Sequence, residues 1–307
     1  MKEHDDKFLI NATDFIEEIK DVLSQIKGGS SYGDNSYSKD KNVIIKIFNT
    51  TDGNSYEDIL ARLTLIDSMY STQMNRRYYA LEEIAKMLYV IGREQKGLKD
   101  YFLKIASHPD SITDYSLFEQ NYGIDKNGKE KGVAISLISK YAYFETGCNF
   151  PIYDSIACEM IPLIWKLCEW GKFHEIIKYK DSSLKVDGKA TIISFINTIN
   201  LMIEKLGGNI SYDHLDRLLW FVGKIRRGNL SLVLTKQQYI ECISIYNKLK
   251  SPSDNEIFNI NNITLSDFPF LNDDLMLCKF FSLAKIIGAK NASKRINKKL
   301  ITNNKIN

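Results

Sequence analysis

The sequence predicts a mainly α-helical protein. Apolar residues recur every three to four positions through most of the chain, as on the buried face of a helix, and capping residues and glycines stand where such segments begin and end. The composition, 44% hydrophobic and 26% charged over 307 residues, is typical of a globular chain of one or two domains. One β-branched run predicts at most a short strand near residues 43–48.

The N-terminal part of the chain predicts a helix, a connector and this strand. Residues 11–26 are amphipathic, with Thr13 at the expected N-cap. Residues 28–41 are rich in Gly, Ser, Asn and Asp, which predicts a flexible connector. Val43–Phe48 is the strand candidate because it is short, apolar and β-branched.

Eight further segments have helical periodicity. Several begin at a capping residue or stop at a glycine: Asp154 and Tyr212–Asp213 stand at expected N-caps, and Gly207 at an expected C-terminus. Residues 250–270, with two prolines, predict a loop. The eight predicted helices are residues 56–70, 78–91, 97–107, 131–146, 154–170, 188–206, 212–222 and 271–288.

The net charge of +3 conceals an asymmetry along the chain. Residues 1–150 hold 19 Lys and Arg against 23 Asp and Glu, whereas residues 151–307 hold 22 against 15. From Leu275 onward there are eight basic residues and no acid. Such a block is typical of a phosphate-contacting surface, and the alternative is a solvated, solubilising tail. The candidate contacts are Lys294, Arg295, Lys298 and Lys299.

Several function classes lack their signatures. There is no GxxxxGK[ST], GxGxxG or GxSxG motif, which argues against the common nucleotide-binding and hydrolase sites. Five cysteines without a CxxC pair and four scattered histidines predict no metal, no cofactor and reduced thiols in a cytoplasmic protein. No apolar run approaches the roughly 20 residues of a membrane span, and no signal-peptide core follows Met1, so we expect neither membrane insertion nor export.

The segment from Ile138 to Ser155 is the best candidate for chemistry. It predicts a helix that carries Lys140, a stop at Gly147, an extended turn, and Asp154 at the start of the next helix. A lysine and an acid so placed can converge on one cleft, where an amine serves as nucleophile and a carboxylate activates water or stabilises a cation. The alternative is that Asp154 is an ordinary N-cap and Lys140 a solvated or paired side chain.

Two other segments are candidates for nucleic-acid contacts. The turn that follows Tyr70 is polar and basic, so it can enter a duplex groove or hold phosphates, unless it is an ordinary solvated turn. Its candidate residues are Gln73, Asn75, Arg76 and Arg77. In the later segment, Trp220 is either a core residue or a ring that stacks on a base, and Arg226 and Arg227 form a small basic turn.

These motifs resemble the helix-hairpin-helix superfamily of base-excision DNA glycosylases, of the endonuclease III and 8-oxoguanine glycosylase type. Leu65–Gln73 is similar to the early helix and its Ser/Gln turn, and Lys140-Tyr-Ala-Tyr-Phe with Pro151-Ile-Tyr-Asp154 is similar to the later lysine helix and capping turn. The chain is similar also to uncharacterised bacterial proteins with SKY…FPIYDS and LDRLLW motifs. The chain departs from the superfamily at Ser136 and Ile138, where the hairpin has glycines, and in a shorter Lys–Asp spacing.

The resemblance implies a two-lobed helix-hairpin-helix glycosylase-like bundle that acts on double-stranded DNA. It implies that Asp154 stabilises the oxocarbenium-like sugar, and that Lys140 attacks the anomeric carbon or else holds Asp154 and a phosphate. Gln73 or a neighbour would fill the space of the flipped base. The basic tail would add sequence-independent affinity. The expected pocket rings, each with a core role as the alternative, are Tyr70, Tyr153 and Trp220.

The sequence thus predicts three regions and one leading function. Residues 1–54 form an N-terminal helix and connector, 55–225 a glycosylase-like core, and 226–307 a helical region with a basic tail. The leading hypothesis is a DNA N-glycosylase, with or without lyase activity, in repair or in phage defence. The alternatives are a non-catalytic nucleic-acid-binding or assembly module on the same scaffold, and a scaffold or regulatory protein without a DNA partner. The oligomeric state stays open.

Overall fold

A computed structural model describes residues 11–28, 36–70, 80–173, 187–249 and 258–288. Within these ranges the chain forms thirteen α-helices and no β-strand, so the prediction of a mainly α-helical protein is confirmed. The helices are α1 Ala12–Lys27, α2 Ser36–Thr50, α3 Tyr56–Met69, α4 Leu81–Glu94, α5 Leu98–Ser107, α6 Ser116–Glu119, α7 Ile135–Glu145, α8 Ser155–Leu167, α9 Gly188–Lys205, α10 Tyr212–Arg226, α11 Lys236–Leu249, α12 Phe270–Asp273 and α13 275–288.

The strand predicted at residues 43–48 is wrong, and so is the connector over residues 36–41. Both belong to α2, whose buried positions Lys41, Ile44 and Phe48 recur at helical spacing. Val43, which a two-sided strand would bury, is 45% exposed. Burial of this helical stripe outweighs the β-branched preference of the segment, since β-propensity depends on packing context.

The capping residues of two helices differ from the prediction. The N-cap of α1 is Asn11, not Thr13, because the Asn11 Oδ1 accepts a hydrogen bond of 2.9 Å from the Asp14 N–H. At α10 the cap is Ser211, whose Oγ accepts from the His214 N–H at 3.2 Å. Asp213, which was the expected cap, is therefore available for a tertiary contact.

The chain divides into two compact units, each assembled from segments that are distant in sequence. The first comprises Met1–Tyr37, Glu159–Phe173 and Arg217–Asn307, and the second Ser38–Cys158 and His174–Asp216. The predicted region boundaries at 54/55 and 225/226 stay a prediction.

In the first unit, aromatic stacking joins the last helices of the chain. Phe221 on α10 stacks on Phe280 on α13, with ring centroids 4.8 Å apart and planes 8° from parallel. An ion pair between Asp21 and Lys279 joins α1 to α13. A hydrogen bond from Lys279 holds the pKa of the Asp21 carboxyl below its ordinary value.

In the second unit, α7 is the central element. It packs against α3 and α5, and nine of its eleven residues, from Ile135 to Phe144 with the exception of Ser136, are buried. Phe102 on α5 lies edge-on to Phe150, with centroids 5.7 Å apart. A helix buried on almost every side is positioned by packing from several directions, so a polar residue on it is held in a fixed place.

No helix in the described ranges has both the length and the apolar character that crossing a membrane requires.

Candidate functional site

The candidate site begins with Lys140 on α7. Lys140 is 5% exposed, which is unusual for a lysine. Its Nζ donates a 2.9 Å hydrogen bond to the Oγ of Ser136, one turn earlier. The same ammonium lies 5.9 Å from the centroid of the Tyr70 ring, within the range of a cation–π contact. The structure therefore brings together two predicted site residues, Lys140 and Tyr70.

Asp154 lies at the N-terminus of α8 and caps it. Its Oδ1 accepts hydrogen bonds of 2.8 Å from the backbone N–H groups of Ile156 and Ala157. The predicted cap is confirmed. Within the described ranges Oδ2 makes no hydrogen bond, and the residue is half-buried. Oδ1 thus fixes the side chain at the N-terminus of α8.

A hydrogen bond connects the segments that carry these two residues. The Tyr153 N–H donates to the Oγ of Ser139 at 3.0 Å, and Ser139 is fully buried. Ser139 and Tyr153 immediately precede Lys140 and Asp154. Standard backbone dimensions then limit the separation of the Lys140 and Asp154 Cα atoms to at most about 15 Å. The bond keeps the lysine and the carboxylate in one region of the second unit.

One turn beyond Lys140, a buried polar network joins three helices. Tyr143 on α7 donates from its hydroxyl to the Oδ1 of Asp213 on α10, at 2.6 Å. Lys41 on α2, 3% exposed, contacts both the Asp213 carboxylate and the Tyr143 hydroxyl. The three groups form hydrogen bonds and an ion pair with one another, which offsets the free-energy cost of removing them from water.

Sequence reasoning missed this network for identifiable reasons. Tyr143 shares a helix face with Lys140 by its i+3 spacing, and that signal was readable in the sequence. Lys41 lies in the segment predicted to be a connector, and Asp213 lies at a predicted N-cap. Neither residue was therefore predicted to belong to a site.

Tyr70 follows α3 and packs edge-on against Phe144, with ring centroids 5.6 Å apart. Its hydroxyl is inaccessible to solvent and has no hydrogen-bond partner in the described part of the chain. Burial, with the negative charges of Asp216 and its neighbours, raises the pKa of the Tyr70 hydroxyl well above the ordinary value.

The other two predicted pocket rings pack in the protein. Tyr153 is 4% exposed and lies edge-on to Phe195, with centroids 5.1 Å apart, in the second unit. Trp220 is half-buried in the first unit, 5.0 Å from the Phe221 ring, with the Lys224 ammonium 5.5 Å from its own centroid. A role in base binding stays a prediction for both.

Arg226 and Arg227 share one carboxylate in the first unit. Glu159 on α8 forms an ion pair with Arg226, and its Oε2 accepts from the Arg227 Nη2 at 2.7 Å and Nε at 2.9 Å. Burial acts to raise the Glu159 pKa, but the hydrogen bonds and charges of the two arginines outweigh it and hold that pKa below its ordinary value. Both predicted DNA contacts are thus tied to an acid.

The remaining predicted DNA contacts fall outside the described residues. They are Gln73, Asn75, Arg76, Arg77, Lys294, Arg295, Lys298 and Lys299. In the described ranges, no group of three or more His, Cys, Asp or Glu side chains is arranged to hold a metal ion.

Comparisons of the chain with protein families, with curated proteins and with solved structures find no match.

Proposed function

We propose that the protein is a DNA glycosylase-like enzyme that cleaves the N-glycosidic bond of a damaged or modified base after flipping the nucleotide out of double-stranded DNA. The observation that carries this proposal is the bond between Ser139 and Tyr153, which holds a buried lysine and a half-buried carboxylate in one region. An amine and a carboxylate in one region are groups that nucleophilic and electrostatic catalysis use.

In the proposed reaction, the two residues act on one sugar. The Asp154 carboxylate, held by its Oδ1, faces the positive charge that develops on the sugar as the bond from C1′ to the base nitrogen breaks. The base leaves with the bonding electron pair and takes up the proton that the Lys140 ammonium releases. The neutral Lys140 amine forms the new bond to C1′ and loses a second proton, and the C1′–O4′ bond then breaks with protonation of O4′ to leave a Schiff base. Without that attack, water adds to C1′ instead.

A specific observation favours one alternative. The Lys140 ammonium is already engaged by Ser136, at a position where the resembled superfamily has a hairpin glycine. A chain that kept the scaffold and lost the chemistry would be a nucleic-acid-binding or assembly module, in which Lys140 only stabilises α7.

The test is base release from duplex genomic DNAs of differing base modification, followed by mass spectrometry of the free bases. We expect the wild-type protein to release a base, and Asp154→Asn to reduce the rate on the order of 100-fold or more. Asn replaces Asp as an N-cap at little cost, so this variant keeps its fold.

Asp187→Asn is the matched control. Asp187 caps α9 in the same manner, with its Oδ1 2.9 Å from the Ala190 N–H, and we expect this variant to retain full activity. Equal activity of the wild type and Asp154→Asn would overturn the catalytic role. Duplex binding without release of any base would favour the non-catalytic alternative.

A further inference from the structure

The hydroxyl of Tyr70 is a buried polar group that the proposed reaction does not use, on a ring that contacts Lys140. Its oxygen has no solvent exposure and no hydrogen-bond partner in the described part of the chain. Several buried tyrosines of the second unit bond to backbone carbonyls, for example Tyr122 to Leu117 at 2.9 Å and Tyr115 to Pro109 at 2.6 Å. The Tyr141 hydroxyl makes no such bond but interacts with Arg62 and Glu145. Tyr70 differs from them.

An unpaired buried hydroxyl is costly. Leaving a buried donor without an acceptor costs about 1–3 kcal/mol, and nearly all buried polar groups in native proteins are paired. Each such exception calls for an explanation, and a functional role is one of the recognised explanations. Phenylalanine would pack equally well at this position, because the contact with Phe144 uses only the ring.

The ring of Tyr70 lies beside the lysine of the proposed reaction centre. The Lys140 ammonium lies 5.9 Å from the centroid of its ring. Phe144, four residues after Lys140 on α7, packs against the ring edge-on. Two residues of α7 therefore contact the Tyr70 ring and position it next to the lysine of the proposed reaction.

We propose that Tyr70 is a specificity-determining residue whose hydroxyl donates a hydrogen bond to an acceptor, a carbonyl oxygen or a ring nitrogen, on the edge of the extruded base. This inference rests on the proposed function and deepens it. The expected ligand is a base that retains a polar acceptor, and a nonpolar base of the same shape is rejected because it leaves the hydroxyl unpaired.

The direction of the hydrogen bond follows from the charge near Tyr70. Asp216, Asp213 and Asp40 are close enough to act on the hydroxyl through their charges, and together with burial they disfavour the phenolate by raising its pKa. The hydroxyl keeps its proton near neutral pH and offers it as a donor.

Two measurements test the inference, and the first is thermal unfolding of Tyr70→Phe. If the hydroxyl is unpaired in the free protein, its removal leaves the melting temperature unchanged or raises it. Tyr122→Phe is the matched control and should lower the melting temperature, because it leaves the Leu117 carbonyl without its donor. A loss of stability in Tyr70→Phe equal to that in the control would overturn the inference, since the hydroxyl would then be satisfied within the fold.

The second measurement is duplex binding in the Asp154→Asn background, which leaves the base attached. The probes are duplexes with one 8-oxoguanine, hypoxanthine or uracil, and the same duplex with a tetrahydrofuran abasic analogue. We expect Asp154→Asn to bind at least one of the base-containing duplexes more tightly than the abasic duplex. In the double variant with Tyr70→Phe, the affinity for that base-containing duplex should fall about 3–10-fold. Affinity for the abasic duplex should not change.

The outcomes separate this inference from the proposed function. A base-dependent increment that needs Tyr70, without base release by the wild type, would overturn the enzyme and keep the recognition role. Base release that is insensitive to Tyr70→Phe would keep the enzyme and overturn the recognition role. If no base raises the affinity for the duplex and the wild type releases no base, both the enzymatic role and the recognition role are overturned.

Discussion

At the residue scale, the structural and the chemical contributions of Asp154 can be separated by substitution. Its Oδ1 caps α8 through Ile156 and Ala157, and its Oδ2 makes no hydrogen bond in the described ranges. We predict that Asp154→Ala lowers the free energy of unfolding by about 1 kcal/mol, the usual cost of losing an N-cap, while Asp154→Asn changes it little. Urea denaturation measures both variants. A large loss in Asp154→Asn would mean that the charge, and not the cap, stabilises the fold.

Ser139 is the second residue on which the site depends. Ser139→Ala leaves the buried N–H of Tyr153 without its acceptor, so we predict a loss of about 1–3 kcal/mol in the free energy of unfolding. Ser107→Ala is the control, because that exposed hydroxyl bonds only to carbonyls of its own helix and should cost little. Equal effects of the two substitutions in urea denaturation would contradict the proposed link.

At the element scale, Lys41 fixes α2 to α7 and α10. Its removal in Lys41→Met leaves the buried Tyr143 hydroxyl and the partly exposed Asp213 carboxylate without their cation. We predict a destabilisation of about 3 kcal/mol, at the low end for a broken buried ion pair because Asp213 keeps some contact with solvent.

Lys46→Met provides the comparison for Lys41→Met, since Lys46 is an exposed lysine on the same helix and its replacement should cost much less. Guanidinium denaturation of the two variants gives the difference in the free energy of unfolding. Equal losses would show that the network adds nothing beyond the helix itself.

The cluster of Glu159, Arg226 and Arg227 predicts a pH dependence of stability. The two arginines hold the Glu159 pKa below the ordinary value of 4.5. A depressed pKa means that the unfolded chain takes up a proton first as the pH falls, so this contribution is present above about pH 4.5 and is lost below it as Glu159 protonates. We expect the melting temperature of the wild type to fall between pH 5 and pH 3 more steeply than that of Glu159→Gln. Parallel profiles would contradict the pairing.

Helices α2 and α7 show which elements the sequence specifies and which need the tertiary structure. The long apolar run that ends near Gly147 predicts α7 to within four residues at each end. For α2 the local signal indicates a connector and a strand, and only the burial of Lys41, Ile44 and Phe48 against the rest of the second unit selects a helix. Burial of Lys41 depends on Asp213, 172 residues later, which no local pattern can reveal.

At the scale of the whole molecule, the charge asymmetry predicts salt-dependent DNA binding. The stretch after residue 288 holds six basic residues and no acid. If these residues contact phosphates, deletion of 289–307 should lower the slope of log K against log salt by up to about 5, since each neutralised phosphate contributes roughly 0.9. Titration of a duplex between 50 and 200 mM salt measures the slope. An unchanged slope in a deletion variant that keeps its helical content would identify the tail as solubilising only.

The sequence predicts Lys140 and Asp154 as a pair, but it does not predict all the contacts that hold them. The spacing of Lys140 and Asp154 within one helix–turn–helix segment indicates two polar groups in one region, because short connections keep consecutive elements close. Ser136 lies one turn before Lys140 on α7, so the i,i+4 spacing of this bond is visible in the sequence. Tyr70 follows α3, 70 residues earlier than Lys140, and its contact depends on packing across the unit that leaves no periodic trace in the sequence.

The most direct test of the account is borohydride trapping on a DNA from which the protein releases a base. If Lys140 attacks the sugar, reduction of the Schiff base leaves one covalent DNA adduct, which peptide mass spectrometry assigns to Lys140, and Lys140→Met forms none. An adduct at another lysine, or base release that is unchanged in both Lys140→Met and Asp154→Asn, would contradict the proposed reaction.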